Sequence, residues 1–175
     1  MKGGNGLDID NVMFVDPGFD GTGWAYWQRL SDKELLPPTH CGVVRPKAKE
    51  QADDMNLAER SFLICERFAG EALALCAPFT VYLELPEVYG ASAKSHASAV
   101  KGDLIKLTFL TGALALSIVE DEVCDIKLLK PSEWKGQLNK EAVQMRIKRA
   151  LGNLENFPNH TADAVGMGLS VIGVL

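Results

Sequence analysis

The sequence predicts an α/β fold in which helices flank a mixed, five-stranded sheet. Three observations predict it. Short apolar segments bounded by Gly and Pro are typical of buried strands. The first three of these segments follow one another closely enough to form hairpins, whereas the last two are each preceded by a long stretch with helical spacing of its apolar residues. Helical crossovers of that length make the strands they connect parallel.

The first half of the chain is expected to contain three strands and a long helix. The apolar run 12–15 ends in a Pro-Gly turn, and the aromatic-rich segment 22–30 follows as the second arm of a hairpin. A third strand is expected over 41–44. Apolar residues at helical spacing predict a helix over roughly 51–75, which Pro78 ends.

The second half alternates between strands and helices. The expected elements are a strand over 79–85, a helix over 97–117, a strand over 123–129, a turn over 131–135, a helix over 140–151 and a last helix from about Thr161. The whole order is then β-β-β-α-β-α-β-α-α. That order is the one found in the ribonuclease H-like fold.

Length and composition predict one domain over residues 1–175, with a flexible N-terminal segment over 1–10. The chain begins without the hydrophobic stretch of a secretory signal, which favours a cytoplasmic protein. Its four cysteines are widely scattered and form no Cys-x-x-Cys pair, so we expect reduced thiols rather than disulfides or a structural zinc site.

The charge of the chain is unevenly distributed. The formal net charge is −5, yet residues 127–149 carry seven lysines and arginines against two glutamates. A second, smaller excess of lysine lies over 94–106. Basic residues concentrated in this way form either a phosphate-binding face or a solvated helix surface, and the pattern alone leaves both interpretations open.

Four side chains are expected to meet at one edge of the sheet. Asp16 and Glu84 end the first and fourth strands, which are neighbours in this topology, and ligands of open α/β sheets bind outside such strand ends. His160 and Asp163 share one face of the last helix. Clustered acids repel one another unless cations neutralise them, so the cluster predicts Mg²⁺ or Mn²⁺. Glu87 is the alternative to Glu84 if the strand ends later.

Three glycines, Gly18, Gly21 and Gly23, follow Asp16. We expect residues without a Cβ atom here to permit a tight turn and to leave space for a phosphate backbone.

In these segments the chain resembles the RuvC-type Holliday junction resolvases, over about residues 11–172. The resemblance rests on Val15-Asp16-Pro17-Gly18 with Thr22-Gly23, on Tyr82-Leu83-Glu84, and on His160-Thr161-Ala162-Asp163-Ala164. It implies that Asp16, Glu84, His160 and Asp163 bind two Mg²⁺ or Mn²⁺ ions and are catalytic. It also implies a homodimeric endodeoxyribonuclease of DNA recombination and repair that cuts four-way junctions in a bacterial or phage-infected cell.

The same resemblance implies further contacts with DNA. It places Lys130 and Lys140 near the family's active-site lysines, with Lys140 as the preferred catalytic residue. Tyr89 matches an aromatic residue that contacts bases at the junction centre, and base stacking is a sound role for it. The other expected DNA-binding lysines are Lys94, Lys101 and Lys135. Pro86 and the turn that contains Trp134 favour a phage-encoded member of the family.

Other functions remain open at this stage. A related nuclease could act on other branched, flap or RNA-containing substrates. A protein that binds junctions without cutting them is a second alternative. The Asp-x-Gly and Thr-Gly pattern also occurs in sugar kinases and actin-like ATPases, but that architecture needs two such domains. For the dimer surface we expect the helix over 97–117, whose Leu104, Leu107, Leu110 and Leu114 could equally belong to the core.

Overall fold

A computed structural model of the protein describes residues 8–46, 55–87, 102–119, 125–152 and 157–175. It contains five strands: β1 (Asp8–Asp16), β2 (Thr22–Ser31), β3 (His40–Val44), β4 (Thr80–Glu84) and β5 (Asp125–Leu129). The helices in the described ranges are α1 (Leu57–Phe68), α2 (Asp103–Val119), α3 (Pro131–Trp134), α4 (Lys140–Leu151) and α5 (Asn159–Val171). Among these described helices, none is both long and apolar enough to cross a membrane.

The strands form one sheet in the order β3-β2-β1-β4-β5. The first three strands pair antiparallel, whereas β1 pairs parallel with β4 and β4 pairs parallel with β5. Strand β1 is therefore central, and its predicted pairing with β4 is confirmed. In the register of this pairing Val15 lies opposite Leu83. The residues that follow in each strand, Asp16 and Glu84, therefore leave the sheet side by side.

Two hydrophobic cores cover the two faces of the sheet. Successive side chains of a strand point to opposite faces, so Met13 and Val15 face the core formed with α1 and α2. Val12 and Phe14 face the other core, formed with α4 and α5. All four side chains are fully buried. This burial on both faces explains why the segment is apolar without alternation.

Helix α1 begins later than the sequence predicts. Asn56 caps it: its side chain accepts a hydrogen bond from the Glu59 amide, and the Glu59 carboxylate accepts one from the Asn56 amide, each at 3.0 Å. This reciprocal capping box fixes the first helical residue at Leu57. Residues 51–54 of the expected helix lie outside the described residues. The helix continues through a π-helical turn, Ala69–Leu73, to Cys76.

Other boundaries differ by a few residues. The segment 131–135, expected as a turn, forms the one-turn helix α3, because Pro131 occupies its first position and the Glu133 carboxylate accepts a hydrogen bond from the Lys130 amide. Asp8–Asp16 is β1, so the last three residues of the expected flexible segment 1–10 belong to a strand. Residues 1–7, 97–101 and 123–124 lie outside the described ranges. Cys41, Cys65 and Cys76 are free thiols, as expected.

Candidate functional site

The candidate site lies where β1 and β4 end. Asp16 is the last residue of β1 and is only 8% exposed. Glu84 is the last residue of β4, and its side chain is 14% exposed. The parallel pairing of these strands therefore places two largely buried carboxylates next to each other at one edge of the sheet.

Helix α5 brings the other two groups to this edge. Its first turn packs directly on β2, because a Cβ atom on Gly23 would lie 2.2 Å from the main-chain carbon of His160. The hydroxyl of Thr161 donates a 2.9 Å hydrogen bond to the Gly42 carbonyl and so ties α5 to β3. Nδ1 of His160 then lies 2.7 Å from Oδ2 of Asp16, at hydrogen-bond distance.

The glycines after Asp16 permit the tight turn that was expected, and they also let neighbouring segments pack closely. A Cβ atom on Gly23 would collide with His160, one on Gly21 with the Val43 side chain at 2.7 Å, and one on Gly18 with the Gly21 carbonyl at 2.7 Å. The space that they leave is filled by the protein itself rather than open to a phosphate backbone. Gly23 lets α5 approach β2, Gly21 lets the loop approach β3, and Gly18 permits the tight turn of the loop itself.

The electrostatics of the site show that its acids act on one another. Burial, followed by the charge of Asp16, raises the pKa of Glu84 to about 7. The same two causes raise the pKa of Asp163. The hydrogen bond with Asp16 raises the pKa of His160, and Asp163 contributes to the increase. Asp16, Glu84, His160 and Asp163 thus form one electrostatic cluster, as the sequence predicts.

Two lysines belong to this cluster. Nζ of Lys135 lies 3.8 Å from Oε2 of Glu84, and its charge lowers the pKa of both Glu84 and Asp163. Lys140, the first residue of α4, lowers the pKa of Asp163 and His160. Lys135 was expected only as a DNA contact, so the structure adds it to the groups around the acids.

Lys130 and Glu87 lie together, apart from this arrangement. Lys130 is exposed, and its charge lowers the pKa of Glu87. Glu87 accepts a 3.2 Å hydrogen bond from the Ser132 amide. Because β4 ends at Glu84, the alternative placing Glu87 in the cluster is not needed. Tyr89, Lys94 and Lys101 lie outside the described residues.

Trp134 is the residue of this region that sequence reasoning missed. It is 4% exposed, and its indole Nε1 donates a 2.8 Å hydrogen bond to Oε2 of Glu84. A tryptophan in a segment interpreted as a turn gave no reason to expect this contact. The signal that could have revealed it is the sequence Pro131-Ser132-Glu133, which favours a helical turn.

The donor set fits divalent cations, although it is not assembled around one. In the described part of the chain no three Asp, Glu, His or Cys side chains already stand in a geometry that would hold an ion. Burial and the charge of Asp16 nevertheless raise the pKa of both Glu84 and Asp163, which is the situation a cation relieves.

Comparison of this structure with solved structures identifies proteins that share its fold. No protein-family model matches this sequence, and no curated protein matches it. Among solved structures, Thermus thermophilus RuvC in complex with Holliday junction substrate is similar, with a TM-score of 0.63 and 21% identity over 91% of this chain and 90% of that one. This chain has the RuvC fold. A second structure of Thermus thermophilus RuvC gives a TM-score of 0.64 at 22% identity, covering 94% of this chain and 92% of that one.

The RuvC fold extends to a more distant structure. The yeast mitochondrial Holliday junction resolvase Ydc2 has a TM-score of 0.59 and 17% identity, over 93% of this chain and 78% of that one. The ribonuclease H-like fold predicted from the order of elements is therefore confirmed. Identities this low establish the architecture that the chain shares with RuvC, and the chemistry has to be argued from its own residues.

Proposed function

We propose that the chain is a metal-dependent, structure-selective endodeoxyribonuclease that resolves four-way DNA junctions by paired phosphodiester hydrolysis. One observation carries the proposal: Asp16, Glu84, His160 and Asp163 converge at one edge of a sheet with the RuvC fold. Three largely buried carboxylates whose charges act on one another destabilise a folded chain. Their presence at the ligand-binding edge of the sheet favours a functional site over a structural one.

We propose that Asp16, Glu84, His160 and Asp163 bind two Mg²⁺ or Mn²⁺ ions. Such a pair supplies Lewis-acid stabilisation of the phosphodiester and lowers the pKa of a bound water. The three carboxylates provide the oxygen ligands that these ions prefer, and an imidazole is compatible with Mn²⁺.

The lysines supply positive charge on the same side. Lys140 is proposed as a catalytic residue that contacts the scissile phosphate, and its charge already acts on Asp163 and His160. Lys135 is proposed as a second phosphate contact because its ammonium group lies beside Glu84. A fixed cation near the reacting phosphate stabilises charge that develops in the transition state. Lys130, Tyr89, Lys94 and Lys101 are proposed to contact the DNA farther from the cut.

A homodimer is proposed because a four-way junction is resolved by two symmetric cuts and two-fold dimers are the commonest oligomers. Helix α2 offers a surface for it. Leu110 and Leu114 belong to the core, but an outer stripe of apolar side chains is exposed. The stripe consists of Ile105, Phe109, Leu116 and Val119, with exposures of 71%, 47%, 69% and 55%. An exposed apolar face of this kind marks an interaction surface.

The deciding experiment incubates the protein with an end-labelled synthetic four-way junction in Mg²⁺ and, separately, in Mn²⁺. Matched linear duplex and the variant Asp163→Asn are the controls, because this substitution removes one ligand charge with little change of shape. We expect paired nicks in the junction, no cutting of linear duplex, and loss of cutting in the variant.

The alternatives give different results. Binding of the junction without cutting in either metal would favour a non-catalytic junction-binding protein. Equal cutting of every substrate would leave a nuclease without junction selectivity. Preferential cutting of flap or RNA-containing substrates in the same assay would identify the related nuclease.

A further inference from the structure

Trp134 connects two sides of the proposed metal site. Its indole Nε1 donates to Oε2 of Glu84 at 2.8 Å, on the strand side of the site. Its six-membered ring packs on Gly166 of α5, where a Cβ atom would lie 2.8 Å from Cζ3 of the ring. Gly166 follows Asp163 by three residues, about one helical turn. One rigid, buried side chain therefore contacts both the strand that carries Glu84 and the helix that carries Asp163.

The surroundings of the indole leave it little freedom. Trp134 is 4% exposed and belongs to the core that α4 and α5 form with the sheet. Nζ of Lys135 lies 4.7 Å from the centre of its ring and also 3.8 Å from the Glu84 oxygen that the indole binds. That oxygen of Glu84 is thus held by a donor fixed in the core. The glycine at position 166 is required because any side chain there would displace the ring.

We infer that Trp134 is a positioning residue for metal binding: it holds the Glu84 carboxylate in place and sets its separation from Asp163. The inference rests on the proposed nuclease function, since it assigns Trp134 to the same metal site. Hydrogen-bond partners of metal ligands orient those ligands, and their removal typically weakens metal binding about 10- to 100-fold.

The chain offers a matched control in Trp27. It is 1% exposed, and its indole donates a 3.0 Å hydrogen bond to the Leu36 carbonyl. Its ring packs on Gly168 of α5, where a Cβ atom would lie 2.8 Å from Cζ3. Trp27 therefore matches Trp134 in burial, in its N–H donor and in packing on a glycine of the same helix. It differs in that its hydrogen bond goes to a main-chain oxygen rather than to Glu84.

The test compares wild type, Trp134→Phe and Trp27→Phe in the full chain. The affinity for Mn²⁺ alone is measured by calorimetry, and the Mg²⁺ concentration for half-maximal junction cutting is measured separately. We expect Trp134→Phe to raise the Kd for Mn²⁺ and the half-maximal Mg²⁺ concentration about tenfold. Trp27→Phe should leave both near wild type, while junction affinity without metal stays unchanged in both variants.

Equal Mn²⁺ affinities in the two variants would overturn the inference. If Trp134→Phe does not fold, replacing Trp134 with benzothienylalanine preserves the ring shape while removing the N–H donor, and the same weakening is expected. A different result would contradict the proposed function: wild type would bind Mn²⁺ but would not cut the junction. In that case a weaker Mn²⁺ affinity in Trp134→Phe would still establish the positioning role.

Discussion

At the scale of single residues, Glu84 shows how burial and a neighbouring charge disfavour the ionised form of a carboxylate. Its pKa is raised from 4.5 to about 7, first by burial and then by Asp16. The charged form is therefore disfavoured in the folded, metal-free protein. Lys135 and the Trp134 indole oppose this effect but do not cancel it. A divalent cation at the proposed site would stabilise the ionised group.

This shift predicts a pH-dependent stability. Because the pKa is higher in the folded state than in the unfolded chain, the stabilisation from Glu84 is complete below about pH 4.5 and is lost as pH rises through about 7. In EDTA, we expect ionisation of Glu84 to lower the free energy of unfolding by on the order of 3 kcal/mol as the pH rises from 5 to 8. Urea unfolding of wild type and Glu84→Gln across this range measures it.

The variant should show a flatter pH dependence, although Asp163 and His160, whose pKa values are also raised, retain part of the slope. Identical slopes in the two proteins would contradict the assignment to Glu84. Adding Mn²⁺ should stabilise wild type more at pH 8 than at pH 5, since protons compete with the metal at the lower pH.

The lysines give a second prediction at this scale. Lys135→Ala removes the cation 3.8 Å from Glu84 and should lower the rate of junction cutting about 100-fold. Lys130→Ala is the control, because Lys130 is exposed and lies near Glu87. Single-turnover cutting rates at saturating Mg²⁺ separate the two. If Lys130→Ala lost more of the cutting rate than Lys135→Ala, Lys130 rather than Lys135 would be the lysine that acts at the cut.

The residues of the site differ in how far the sequence could predict them. Asp16 and Glu84 end apolar strands, and His160 and Asp163 begin a helix, so position along the chain was enough to bring them together. Lys135 and Trp134 depend on α3, a single helical turn. The spacing of apolar residues could predict neither that α3 forms nor how it is oriented, because four residues are too few to show a helical period.

At the scale of secondary-structure elements, the close packing of α5 on the sheet decides whether the site forms. The backbone of His160 occupies the space that a side chain at position 23 would need. The glycines of the β1–β2 loop were correctly singled out from the sequence. A single sequence does not reveal, however, that His160, 137 positions later in the chain, packs directly against Gly23.

Gly23→Ala tests this packing. Its Cβ atom would lie 2.2 Å from the His160 main chain, and we expect a loss of about 3 kcal/mol in the free energy of unfolding, together with loss of cutting. Gly70→Ala is the control, since a Cβ atom there has no described neighbour within 4 Å. That variant should gain about 0.5–1 kcal/mol, as alanine does over glycine in a helix. Denaturant unfolding measures both, and a neutral Gly23→Ala would refute the close approach.

At the scale of the whole molecule, the exposed stripe on α2 predicts the oligomeric state. Leu116→Glu places a charge in the middle of the stripe and should convert a dimer to a monomer, since an unpaired buried charge is costly in an interface. Met145→Glu, on α4, changes an equally exposed apolar residue elsewhere and should leave the dimer intact. Light scattering coupled to size exclusion reports the mass of each, and a monomeric wild type would contradict the prediction.

The hydrogen bond between Asp16 and His160 joins residues 144 positions apart in the chain. A ribosome synthesises the central strand first, but the helix that supplies His160 and Asp163 is made only after β5. A nascent chain, or a product shortened before residue 160, therefore lacks half of the proposed ligands. The proposed nuclease site can therefore form only after α5 has been synthesised, and we expect nascent chains without this helix not to cut DNA.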